Sequence, residues 1–127
     1  MEPSAEPSVL RTVIVDDEPL ARRGLRLRLA GESDIEIVGE CSNGDEAVRV
    51  IAAERPDLVF LDVQMPGTDG FGVLRRLPLS SLPMVVFVTA YDHYAISAFE
   101  TNAVDYLLKP VAEARLRQAL FRIRETA

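Results

Sequence analysis

The sequence predicts a doubly wound α/β domain, a five-stranded parallel sheet in the order 2-1-3-4-5 with helices on both faces, and three observations predict it. Apolar runs without polar alternation, Thr12-Val13-Ile14-Val15, Leu58-Val59-Phe60-Leu61 and Met84 to Val88, read as strands buried on both faces. Stretches with apolar residues at helical spacing separate the strands, so strand and helix alternate, and right-handed crossovers then force a parallel sheet. The strands also end on chemically able residues: Asp16 and Asp17, Asp62, Thr89 and Lys109. In open sheets of this kind, ligands bind in the crevice outside the carboxyl ends of the strands.

Residues 2 to 8, EPSAEPS, carry no apolar segment, so positions 1–8 read as a disordered leader and 9–127 as the domain. After the first strand, Pro19 is a good first helical residue, and Leu20, Gly24 and Leu27, flanked by Ala21 and Leu25, form the expected inward stripe. Arg22, Arg23, Arg26 and Arg28 are expected on the solvated face. Ile35 to Val38 alternates in part and reads as an edge strand, with Cys41 to Gly44 as turn material. Asp45 to Glu54 carries Ala47, Val48, Ile51 and Ala52 at helical spacing, with Pro56 as its stop. Beyond the Leu58 run, Phe71 to Leu77 makes a short helix closed by Pro78. Asp92 to Thr101 is a helix with Ala95, Ala98 and Phe99 inward. Val104 to Leu108 is the fifth strand, and the last helix buries Leu116, Ala119, Leu120 and Ile123.

At 127 residues and 48% hydrophobic content the chain can bury a core without staples. A net charge of -6 argues against this domain holding a nucleic-acid backbone by itself. The single Cys41 cannot form an internal disulfide, and nothing beside it would activate a thiolate. No apolar run is long enough for a membrane span, and the chain reads as cytoplasmic.

The strand ends carry the functional argument. Two carboxylates about 5 Å apart repel by roughly 3 kcal/mol at an effective dielectric near 20, so Asp16, Asp17 and Asp62 in one crevice call for a cation. All-oxygen ligands favour Mg²⁺ over Zn²⁺; the only histidine, His93, is expected at the surface. A carboxylate beside Mg²⁺ can attack phosphorus, with Asp62 as nucleophile, Lys109 as fixed cation, Thr89 as hydroxyl donor, and Asp16 and Asp17 holding the metal. A flavin-binding domain of the same topology would need a hydroxyl- and glycine-rich phosphate loop after the first strand, where Asp16-Asp17-Glu18 would repel phosphate.

VIVDDEP at 13 to 19, LDVQMPGTDG at 61 to 70, FVTAY at 87 to 91 and DYLLKP at 105 to 110 resemble the four signature blocks of the receiver domain of two-component response regulators, a flavodoxin-like fold. The resemblance implies that Asp62 accepts a phosphoryl group from a sensor histidine kinase and that Asp17, Asp62 and the backbone carbonyl of Gln64 bind Mg²⁺. It implies that the domain catalyses its own phosphorylation and a slow autodephosphorylation, and that Lys109-Pro110 is a cis peptide. Thr89 and Tyr106 match the switch pair that remodels the surface of the fourth helix, fifth strand and fifth helix.

The wording DEPLARRGL and VTAYDHYAISAFETNAVDYLLKPV is similar to receivers joined to a LytTR-type (LytR/AlgR-like) DNA-binding output domain, expected to lie outside this chain. A pseudo-receiver that interacts without phosphorylation is the alternative, though such a module would be free to lose Asp62, Lys109 or the acidic pair. In the resemblance Gln64 and Tyr91 flank the path of the hydrolytic water, and Tyr91 is expected to crowd it and lengthen the phosphoryl lifetime. Arg115, Arg117, Arg122 and Arg124 are expected to meet Glu100, Asp105 and Glu113 of a second copy in a phosphorylation-dependent homodimer.

Overall fold

Buried strands that must satisfy their backbone groups in a sheet, and cover both faces with helices, give the observed architecture. The computed structural model describes residues 9–127; the expected leader over 1–8 lies outside them. The strands are β1 (Leu10–Val15), β2 (Ile35–Cys41), β3 (Leu58–Leu61), β4 (Met84–Thr89) and β5 (Asp105–Leu108). The helices are α1 (Pro19–Leu29), α2 (Gly44–Glu54), α3 (Gly70–Arg75), α4 (Ala95–Glu100) and α5 (Glu113–Thr126), with 3₁₀ turns at Leu79–Ser81 and Asp92–Tyr94. All pairings are parallel and the order is β2-β1-β3-β4-β5, as expected.

The period-2 alternation of the strands divides the apolar runs between two cores. Val13, Val15, Val59, Leu61, Val85 and Phe87 pack on one face with Ala47 and Ile51 of α2, Val73 of α3 and Ala98 of α4. Ile14, Leu58, Phe60, Val86, Val88 and Leu107 pack on the other with Leu25 and Leu29 of α1 and Leu116, Leu120 and Ile123 of α5. A strand such as β3, with all four residues buried, has no solvent face to show as alternation.

Three local expectations are corrected. In α1, Leu20 and Leu27 are exposed while Leu25 and Leu29 are buried, so the inward line runs at i, i+4 one position away from the expected stripe. Arg22 belongs to that inward side: its Nη1 donates to the Asp16 carbonyl at 2.6 Å, and with Arg26 it lies near Glu40, so it is not a solvated arginine. After β4, residues 92–94 wind as 3₁₀, and the tighter turn shifts the phase of α4; of Ala95, Ala98 and Phe99 only Ala98 is buried. Finally, β2 continues through Cys41, and α2 stops at Arg55, whose left-handed backbone (φ 48°) lets its N–H bond the Ile51 carbonyl before Pro56.

Candidate functional site

Main-chain bonds between neighbouring strand ends gather the polar residues. Asp62 N–H donates to Val15 O (3.0 Å), Asp16 N–H to Cys41 O (3.0 Å), and Lys109 N–H to Thr89 O (2.8 Å). The loop after Asp62 turns back tightly. Gly67 takes a positive φ of 80°, and α3 begins at Gly70 so close beneath that a Cβ there would meet Asp62 O at 2.5 Å. Gly70 thus permits the helix to press against the backbone of the strand end.

Asp16, Asp17 and Asp62 each offer an oxygen within 4.8 Å of the others. Lys109, the residue after β5, reaches in with Nζ 2.7 Å from Asp16, 2.9 Å from Glu18 and 3.3 Å from Asp62. The Lys109-Pro110 peptide is cis, as the resemblance implied. Three carboxylates thus meet one ammonium, with Asp17 beside them, and the cluster is short of positive charge. Asp62 is 5% exposed, and burial pushes its carboxyl up to about 6 despite the attraction of Lys109, with Asp16 adding to the rise. Burial alone would lower Lys109, but its bonds to Asp16 and Glu18 and the charge of Asp62 hold it above the ordinary lysine value. Glu18, exposed, is lowered by its hydrogen bond to Lys109. The donor set is oxygen only and undercompensated in charge, which fits a hard divalent cation and not zinc.

The Asp62 carboxylate is loosely held: its hydrogen bonds are the 3.3 Å contact to Lys109 and one of 3.3 Å from Gln64 N–H. Asp16 is fixed more firmly, by Lys109, by Glu18 N–H at 2.9 Å and through its carbonyl by Arg22. The acid pair therefore divides between a rigid Asp16 and a half-exposed Asp17 facing the cleft. That cleft, about 570 Å³, is lined by Asp17, Asp62, Gln64, Tyr91, Tyr94 and Lys109 among others.

Thr89 lies at the end of β4, fully buried; its Oγ accepts from Tyr91 N–H at 3.4 Å and, among the described residues, makes no hydrogen bond to Asp62. Tyr106, on β5, packs its ring on Phe87 and donates its hydroxyl to the Tyr91 carbonyl. The two expected switch residues therefore grip opposite ends of one residue, Tyr91, in the loop between β4 and α4.

The whole stretch from β1 into α5 matches the family model described as the response regulator receiver domain, over residues 12–121. The chain belongs to the response regulator receiver family. This receiver is 52% identical over 117 residues to the transcriptional regulatory protein BtsR of Escherichia coli K12, with 92% of this chain and 49% of that protein covered. It is 54% identical over 115 residues to an uncharacterized response regulatory protein of Yersinia pestis, covering 91% of the chain and 48% of that protein. The receiver thus spans about half the length of these curated relatives. Among solved structures, the signal receiver domain of the putative response regulator NarL from Mycobacterium tuberculosis superposes with a TM-score of 0.83 at 31% identity, covering 95% of this chain and all of that one. The response regulatory domain of mrkE from Klebsiella pneumoniae gives 0.83 at 32%, covering 92% and 97%. Among the described residues no helix is long and apolar enough to cross a membrane.

Every residue the sequence placed at a strand end lies at the carboxyl end of the receiver's sheet, and His93 is exposed as expected. The arginines of α5 find acids within this chain: Arg115 and Arg122 bind Asp105 of β5, Arg117 binds Glu113 one turn away on α5, and Arg124 binds Glu32 and Asp34 of the loop between α1 and β2. Sequence reasoning also missed Glu18 as a Lys109 partner, Arg22 as a brace on Asp16, and Tyr94, which accepts a 2.7 Å bond from Gln64 Nε2. Only Glu18 carried a signal, standing beside the acidic pair.

Proposed function

We propose that Asp62 is the phosphoacceptor of this receiver. The observation that carries the reading is a buried, loosely bonded Asp62 carboxylate facing a solvent-open cleft beside Lys109. A carboxyl group at about 6 is ionised at neutral pH, yet poorly neutralised by its surroundings, which favours attack on phosphorus. An Asp62 oxygen bonds the phosphorus of a phosphohistidine on a sensor histidine kinase while the bond from phosphorus to imidazole nitrogen breaks; the imidazole leaves neutral after taking up a proton. Lys109 meets the charge gathering on the phosphoryl oxygens, and Thr89 supplies a hydroxyl once it leaves Tyr91. Asp16, Asp17, Asp62 and the Gln64 backbone carbonyl would hold Mg²⁺, Asp17 most directly, and the ion when bound neutralises phosphoryl oxygens. In the same reading the domain catalyses its own loading from small donors and a slow autodephosphorylation.

Release of Thr89 from Tyr91 links the site to Tyr106 and so to the α4–β5–α5 surface, a two-state shift. That surface would control an output domain elsewhere in the full-length protein, of the LytTR DNA-binding type, in the cytoplasm. Phosphorylation-dependent pairing of two copies through this face rests on exposed Ile96, Phe99 and Leu108 rather than on the α5 arginines. Intact mass after incubation with acetyl phosphate, with and without Mg²⁺, tests the core of the reading. A single phosphoryl gain that needs Mg²⁺ and vanishes in Asp62→Asn is expected. No gain in any condition, with Mg²⁺ binding retained, would leave a receiver dependent on its kinase; no gain and no Mg²⁺ binding would replace the reading with a pseudo-receiver.

A further inference from the structure

Across the mouth of the cleft, Gln64 and Tyr94 form a side-chain bridge that the phosphoacceptor chemistry does not itself require. Gln64 Nε2 donates to the Tyr94 hydroxyl at 2.7 Å, and both residues line the cleft that holds Asp62. Gln64 belongs to the loop after β3, two residues from the acceptor. Tyr94 closes the 3₁₀ turn that leads into α4. The Tyr94 ring is set by its neighbours: its centroid lies 6.1 Å from Phe71 of α3, 4.2 Å from His93 and 6.4 Å from Tyr91. A ring seated between α3 and the loop entering α4 presents its hydroxyl in a defined direction, and the Gln64 amide meets it there.

A glutamine amide near a phosphoryl group is chemically consequential, because it can accept from an attacking water and donate to a phosphoryl oxygen, orienting the water in line. The bond to the tyrosine hydroxyl takes one of the two Nε2 hydrogens and holds the amide in one rotamer, so its oxygen and second N–H are not free to follow an attacking water. We infer that Tyr94 is a positioning residue that parks the Gln64 amide away from the acceptor and thereby slows hydrolysis of the aspartyl phosphate. This inference rests on the phosphoacceptor reading of Asp62. In the hydrolysis it restrains, the oxygen of water bonds phosphorus and the bond from phosphorus to Asp62 Oδ breaks. Asp62 departs as a carboxylate, and inorganic phosphate leaves with the water's remaining hydrogen and releases one proton.

Tyr94→Phe keeps the ring against Phe71 and removes only the hydroxyl, so the fold is retained. In the unphosphorylated protein, the Gln64 side-chain amide resonances are expected to shift and exchange faster with solvent in Tyr94→Phe. After loading with acetyl phosphate and Mg²⁺ and removal of the donor, the loss of phosphoryl followed by intact mass should be about 3- to 10-fold faster in Tyr94→Phe, the range one neutral hydrogen bond can carry. In a Gln64→Ala background the same substitution should leave the decay unchanged, an outcome that loss of packing would not produce. Equal decay in wild type and Tyr94→Phe, or an equal acceleration in the Gln64→Ala background, would overturn the role of Tyr94 while leaving Asp62 as acceptor. Failure of the wild type to take up a phosphoryl group from acetyl phosphate or from a phosphorylated kinase would overturn both.

Discussion

Two buried aspartates in the same sheet, Asp62 and Asp105, are treated in opposite ways. Asp105 opens β5 on the face covered by α5, and its carboxylate is met by Arg115 at 2.6 and 3.0 Å and by Arg122 at 3.0 Å, with Tyr106 N–H adding a bond of 2.8 Å. Burial would raise its carboxyl, but those partners outweigh burial and hold it below the ordinary value. Asp62 shares one lysine with Asp16 and Glu18, and there burial wins. Two cations on one acid give a structural joint; one cation shared by three acids, with Asp17 beside them, leaves the cluster short of positive charge. Asp105 is thus neutralised by its own chain, whereas Asp62 at the carboxyl end of the sheet is not.

The largest expected effects come from breaking each side of that comparison. Removing the anion between two half-exposed arginines in Asp105→Ala should destabilise by about 2–3 kcal/mol in urea unfolding at neutral pH. Asp62→Asn should do the reverse. Folding raises the Asp62 carboxyl above its usual 3.8, so the folded chain holds that proton more tightly than the unfolded chain, and stability falls as pH rises from about 4 through about 6. In metal-free buffer at pH 7 to 8, Asp62→Asn should therefore gain roughly 2–3 kcal/mol, a gain that disappears below about pH 4. Asp105 has the opposite sign: its lowered carboxyl contributes fully above the ordinary carboxylate value and loses that contribution as pH falls below it.

Smaller effects sharpen the boundary between site and scaffold. Tyr106→Phe removes the hydroxyl bond to Tyr91 and should cost about 1 kcal/mol, while exchange of the loop between β4 and α4 quickens by hydrogen-exchange measurement. Arg124→Ala, an exposed pair with Glu32 and Asp34, should cost about 0.5 kcal/mol. Cys41, buried behind the site with its thiol pushed up to about 12 by burial, should resist thiol reagents in the native protein and react only on unfolding.

The sheet was legible because double-faced burial leaves a plain mark: Leu58 to Leu61 has no polar residue, and each such run ends on a polar residue at the carboxyl end of the sheet. The gathering of Asp16, Asp17, Asp62, Thr89 and Lys109 at one edge followed from strand order alone. Helix phase was less legible. In α1 the apolar residues Leu20, Leu25, Leu27 and Leu29 allow two inward stripes; the one observed, Leu25 and Leu29, goes with Arg22 reaching the Asp16 carbonyl on another element. In α4 a 3₁₀ lead-in shifts the register, and sequence spacing assumes one helical period throughout. The α5 arginines show a related limit: charge alone does not say which acids of the same chain they meet. The bridge from Gln64 to Tyr94 spans thirty residues and has no periodic signature.

The carboxyl-end cluster, short of positive charge, is proposed as a divalent-cation site. Calorimetric titration with Mg²⁺ at pH 7.5 tests it most directly, comparing wild type with Asp17→Asn, whose half-exposed side chain can be changed without opening the core. One saturable Mg²⁺ per chain in the wild type, weakened about tenfold or more in Asp17→Asn, is the expected result. No saturable binding in the wild type, or equal binding in the two proteins, would contradict it.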